Sequence, residues 1–203
     1  MIVLGGNNMN FKTTHSFVLA SASPRRKELF GLLNVPFEIV TSDVEETSVT
    51  AQNVQQYVTE VALLKTRDVA KKCPNKTVIG ADTIVVYNDM LLHKPKSREE
   101  AINHLQTLSN DTHAVLTAVA ILAPNGQEFT FVEETKVIFK DVPQQLIEAY
   151  VDSADPFDKA GGYGIQTDGV FFVDRIEGDY NNVVGLPIAS LVENLLSLRY
   201  ISI

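Results

Sequence analysis

Residues 77–86, TVIGADTIVV, form an almost unbroken β-branched and apolar run. Such a run suits a strand buried on both faces, where neither face has to alternate toward water. A chain carrying such a strand must cover both sides of a sheet, and the flanking patterns supply the covers. From Ala51 to Lys72, Val54, Tyr57, Val58, Val61, Ala62, Leu64 and Val69 mostly recur at helical spacing. SFVLAS (16–21) and FEIVT (37–41) read as strands on either side of a helix that begins at Pro24. Asn88-Asp89 reads as a turn into a short strand around Leu91 and Leu92. Residues 97–109 and 144–152 read as helices. AVLTAVAILA (114–123) and EFTFVEETKVIF (128–139) read as strands joined at Pro124-Asn125-Gly126. Short strands are expected around Val170 to Ile176, and Pro187 opens a closing helix. Helices and strands interleaved to the end predict a mixed α/β protein.

A second feature runs against local electrostatics. Ser23 stands where an N-cap belongs and Pro24 at the first helical position, yet Arg25, Arg26 and Lys27 follow at once. The first turn of a helix is already partly positive, so cations there are disfavoured by tenths of a kcal/mol each. Either the arginines are solvated and their stems cover the helix, or backbone N–H groups and guanidiniums together cradle a phosphate. Net charge decides the scale of any such partner. At −8 the chain excludes a general nucleic-acid binder, which needs broad basic surfaces, but leaves room for a small polyanion in a local cationic pocket.

Asp82 sits in the middle of the buried run. An unpaired buried carboxylate costs several kcal/mol, so it is either a satisfied core aspartate or a cleft group that binds a divalent cation or orients water. Residues 158–187, from DKAGGYGIQ (158–166) to GDYNNVVGLP (178–187), hold six glycines between apolar segments, a pattern of tight turns or of backbone approaching a ligand. HKPKS (93–97) and Lys65 offer further cations, for the surface or for a site. The G-x-x-x-x-G-K-[ST] loop, the G-x-S-x-G nucleophile elbow and the H-E-x-x-H helix are missing, and His15, His93, His104 and His113 lack metal-ligand spacing. Cys73 is the single cysteine, which excludes an internal disulfide and a multi-thiolate metal site and points to a reducing cytoplasm. No apolar run reaches the ~18–20 residues of a membrane span. Residues 1–15 are expected to form a loosely ordered N-terminal extension to a single domain over 16–203.

Taken in order from Leu19, eight segments resemble the Maf family of nucleotide pyrophosphatases: LASASPRR, DVEE, LLKT, GADTIVV, HKP, LSNDTHAVLTAVAI, DKAGGYGIQ and GDYNNVVGLP. The resemblance implies an elongated mixed sheet with flanking helices, two lobes around a nucleotide cleft, a fold related to the inosine triphosphate pyrophosphatases, and a homodimer. It implies hydrolysis of a nucleoside triphosphate to the monophosphate and pyrophosphate with Mg²⁺ or Mn²⁺. By position, Ser21, Arg25 and Arg26 grip the triphosphate, with added charge from Lys65 and Lys94. Asp82 matches the proton acceptor for water, and Glu46 the acid that shares metal binding or water activation. Thr83 and Gln166, with Arg25, match positions separating substrate subgroups. Asp-Thr with Ile-Gln resembles the dTTP/UTP branch, whereas a sister branch acting on 7-methyl-GTP, UTP and CTP carries Asp-Gln. A third reading is a nucleotide-binding regulator of cell division. Asn110 replaces a glycine usual after LS, a change that a left-handed turn tolerates.

Overall fold

The computed structural model describes residues 9–44 and 49–203. Among the described residues the strands are β1 (Phe17–Ala20), β2 (Phe37–Ile39), β3 (Thr77–Tyr87), β4 (Met90–Leu92), β5 (Thr112–Leu122), β6 (Glu128–Phe139) and β7 (Val173–Glu177). The helices are α1 (Pro24–Gly31), α2 (Val54–Lys72), α3 (Arg98–Leu108), α4 (Gln144–Asp152), α5 (Tyr180–Val184) and α6 (Ile188–Ser197). One mixed sheet runs in the order β2-β1-β3-β5-β6-β7, with β4 paired to β3. β1 is parallel to both β2 and β3, and the remaining pairs are antiparallel.

The long apolar run is the centre of this sheet, as its composition predicts. Its alternation sorts side chains between two differently built faces. Ile84 and Val86 pack with Val58, Ala62 and Leu63 of α2 on one face. Ile79 and Ala81 on the other face join a cluster with Leu29, Phe30, Leu191 and Leu195 from α1 and α6. Further along that second face, Val85 joins a separate cluster with Leu105 of α3, Ile147 and Tyr150 of α4, and Phe139. The expected two lobes therefore share one sheet, and two cores on one of its faces divide them. At Gly80 a Cβ would collide with Thr66 Oγ1, so glycine there lets α2 lie close against β3.

Two sequence expectations change. Residues 168–172 are a 3-10 turn, and only 173–177 form a strand. Gly169 lies so near the Gly164 backbone that a side chain there would meet it, which curls the segment inward. The end of the expected loose extension is tied down. Lys12 and Ser202 exchange backbone hydrogen bonds of 2.8 and 2.9 Å, Thr13 Oγ1 donates to the Tyr200 carbonyl at 2.7 Å, and His15 Nδ1 lies 2.8 Å from Thr77 Oγ1. Pairing with the chain's other end satisfies backbone groups that a loose tail would leave to water.

Candidate active site

The site begins with a gap in the sheet. On one edge of β3, β1 pairs as far as Gly80 and β4 pairs only from Val85, while β5 covers the opposite edge throughout. Residues 81–84 thus have a strand neighbour on one side only. β1 ends there and its chain turns into α1, the kind of switch point at which ligands enter α/β sheets. A cavity of about 860 Å³ occupies the gap and is lined by Ser21, Arg25, Arg26, Lys65, Asp82, Thr83, Lys94 and Gln166. Every expected site residue within the described chain therefore lines one cavity. Glu46, expected as a second acid, lies outside the described residues.

Asp82 and Thr83 are adjacent on a strand, so their side chains leave opposite faces of the sheet. Both line the cavity because the cavity wraps around the unpaired edge. On the α2 face, Lys65 Nζ donates to Asp82 Oδ1 at 2.7 Å. Asp82 is only 7% exposed, and Lys65 supplies the partner that its burial requires. On the other face, Arg26 reaches across from α1. Its Nε donates to the Gly185 carbonyl at 2.7 Å, its Nη2 to Thr83 Oγ1 at 2.9 Å, and its Nη1 to Ser21 Oγ at 3.5 Å. Gly185 is the left-handed cap of α5, with φ 119°, a conformation that favours glycine.

The helix start is built as its sequence predicts. Ser23 caps α1, its Oγ accepting from the Arg26 N–H at 3.4 Å, and no acid occupies the first turn. Arg25 Nη1 donates to Asp158 Oδ2 at 3.1 Å, while Lys27 is exposed and does not line the cavity. Among the described residues the walls hold Arg25, Arg26, Lys65, Lys94, Lys96 and Lys159 against Asp82, Glu100 and Asp158. On a body of net charge −8, this is a local cationic pocket.

Lys159 is the residue that sequence reading missed. It is buried, and Nζ meets the Asp155 carbonyl at 2.8 Å, Asp155 Oδ1 at 2.9 Å and Asp158 Oδ1 at 2.6 Å, one acceptor for each of its three donors. Asp155 also accepts from Tyr150 Oη at 2.5 Å and Thr167 Oγ1 at 2.6 Å. Burial alone would push Asp155 and Asp158 upward, but these donors outweigh it and hold both carboxyls below the usual range. The hub fixes the loop that presents Gln166, which stands exposed at the mouth.

Beneath the cavity, His113 Nε2 lies 2.7 Å from Tyr163 Oη, and both residues are buried. Burial pushes the imidazole down to about 4, with Asp111 opposing only weakly. A folded value below the ordinary 6.5 means that the unfolded chain binds the proton first. His113 therefore draws stability out of the fold as pH drops from about 6.5 toward 4. Urea titrations at pH 6.5 and 5 are expected to show the wild type losing about 1.5 kcal/mol more than His113→Gln. Equal losses in both proteins would contradict the assignment.

Among the described residues, no three or more His, Cys, Asp or Glu side chains cluster as a metal cage. The donor set still suits a hard cation of the Mg²⁺ type, which takes one or two carboxylates and completes its shell with phosphate oxygens and water. Asp82 engages Lys65 through one oxygen, and a carboxylate offers about four lone-pair directions, so it retains capacity for such an ion.

Comparison with known proteins finds relatives along almost the whole chain. The chain is 49% identical over 183 residues to a protein of Geobacillus sp. (strain WCH70), covering 90% of this chain and 98% of that one. It is 51% identical over 178 residues to a Bacillus cereus protein, covering 88% and 93%. Both relatives are named dTTP/UTP pyrophosphatase. Among solved structures, a HAM1 protein from Coxiella burnetii superposes with a TM-score of 0.55 at 17% identity, covering 91% of this chain and 100% of that one. The Staphylococcus aureus Ham1 protein gives 0.52 at 16% identity, covering 91% and 99%. These likenesses show that the chain shares its fold with the two Ham1 proteins. The family model described as Maf-like protein matches residues 16–198, and with relatives near half identity along almost its whole length the chain belongs to the Maf family.

Proposed function

We propose that this chain hydrolyses dTTP and UTP to the nucleoside monophosphate and pyrophosphate. The observation that carries the reading is the gap in the sheet, which brings Asp82 with Lys65 and the arginine-bearing start of α1 into one cationic cavity. The names of the relatives at about half identity support the choice of substrate. Water adds to the nucleotide as the anhydride between the α- and β-phosphates breaks, so one P–O bond forms, one breaks, and pyrophosphate leaves. Asp82 accepts the proton of the attacking water, and Lys65 holds its carboxylate in place. Arg25, Arg26, Ser21, Lys94 and the α1 backbone N–H groups neutralise and align the phosphates, which is most of the work in phosphoryl chemistry. Asp82 and Glu46 are the residues that would hold Mg²⁺ or Mn²⁺. When bound, such an ion polarises phosphoryl oxygens and acidifies water. Gln166 and Thr83 select the base.

The same reading includes a homodimer in the cytoplasm. Among the described residues, no helix is long and apolar enough to cross a membrane. A panel of dTTP, UTP, CTP, dATP and 7-methyl-GTP with Mg²⁺ or Mn²⁺ is expected to release pyrophosphate fastest from dTTP and UTP. Preference for 7-methyl-GTP would assign the sister branch. No release above background from dTTP or UTP would defeat the proposal.

A further inference from the structure

Arg26 belongs to a closed ring of hydrogen bonds that runs through the sheet. Its Nη2 donates to Thr83 Oγ1 at 2.9 Å. Thr83 Oγ1 lies 2.9 Å from Thr117 Oγ1, and Thr117 Oγ1 donates to the Asn182 carbonyl at 3.0 Å. That same carbonyl accepts the Gly185 N–H at 3.0 Å, and the Gly185 carbonyl accepts Arg26 Nε at 2.7 Å. A hydroxyl has one proton. Thr117 spends its proton on Asn182, so Thr83 must donate to Thr117, and Thr83 meets Arg26 purely as an acceptor. Every donor on this arm points away from the guanidinium, so each bond polarises the next.

The ring rests on a rigid base. Thr117 is fully buried opposite Thr83 on β5 and does not line the cavity. Asn182 is fully buried too, and its Nδ2 donates to the Val115 carbonyl at 2.9 Å and to Thr135 Oγ1 at 3.0 Å, pinning α5 to β5 and β6. Neither residue shares the cationic or acidic chemistry of the cavity walls, so packing alone would be served by valine at 117.

We infer that Thr117 is a positioning residue for Arg26: its hydroxyl orients Thr83 and, with Asn182 and Gly185, holds the guanidinium in the geometry that grips phosphate. The inference rests on the proposed phosphate role of Arg26. Thr117→Val keeps the shape and removes the relay, and Thr117→Ser keeps the hydroxyl. Kinetics with dTTP and calorimetric binding of pyrophosphate are read for both, each also in an Arg26→Ala background, with thermal unfolding alongside.

Thr117→Val is expected to weaken pyrophosphate binding and kcat/KM about tenfold, the scale of one hydrogen bond to a charged group. Thr117→Ser is expected to stay within about twofold of wild type. In the Arg26→Ala background the valine change is expected to add little, because coupled residues are not additive. Three results would overturn the inference: wild-type binding by Thr117→Val, equal losses in the valine and serine variants, or full additivity with Arg26→Ala. If Thr117→Val does not fold, Thr117→Ala against Thr117→Ser makes the same comparison. Failure of the wild type itself to bind pyrophosphate would defeat the phosphate role of Arg26 instead.

Discussion

Asp82→Asn is expected to lower kcat for dTTP by about two to four orders of magnitude while affinity for a non-hydrolysable analogue in metal-free buffer changes little. The substitution is nearly isosteric. An asparagine oxygen still accepts from Lys65 Nζ, which sits 2.7 Å from Asp82 Oδ1, so the α2 wall keeps its form. What disappears is a group able to take a proton from water. Binding should survive because the cations that align the phosphates lie on α1, the sheet edge and the loops, not on Asp82. Steady-state kinetics, analogue calorimetry and thermal unfolding together separate the effects. Turnover near the wild-type rate would remove Asp82 from the chemistry, and analogue binding lost even in metal-free buffer would make it a scaffold residue.

Arg26→Lys is expected to reduce kcat/KM for dTTP by roughly 10²–10³, with wild-type folding. Charge is conserved in this variant, so the loss reads geometry. A planar guanidinium spans Gly185, Thr83 and Ser21 at once, and an ammonium cannot project donors from one point to all three. Arg25→Lys should cost less, about tenfold, because Arg25 contacts Asp158 by one hydrogen bond and lies partly in solvent. Equal effects of the two lysine variants would show that the pocket counts charge alone.

Much of this site is readable from residues that violate local preference. Asp82 in a β-branched run and cations at a positive helix end both cost stability, so each points to a partner outside its own element. The N-cap at Ser23 and the central strand follow from local chemistry, and the structure holds both. Lys159 escapes notice because a lysine beside an aspartate reads as solvated surface, and only the fold brings Asp155 and Asp158 around it. Thr117 escapes because threonine is an ordinary strand residue, and its register with Thr83 depends on how β3 and β5 pair. α5 has five residues, too few to show a helical period, and of the three 3-10 turns between 155 and 172 two carry glycines whose close packing only the fold supplies. The gap beside residues 81–84 is likewise invisible, since it arises where two strands stop on one edge.

The most direct measurement is a crystal structure with a non-hydrolysable dTTP analogue bound. Phosphate oxygens should lie within hydrogen-bond reach of Arg25, Arg26 and the α1 N-terminus, with the α–β linkage facing Asp82. Phosphates lodged away from both arginines, for example in the groove near Cys73 and Glu128, would contradict the account.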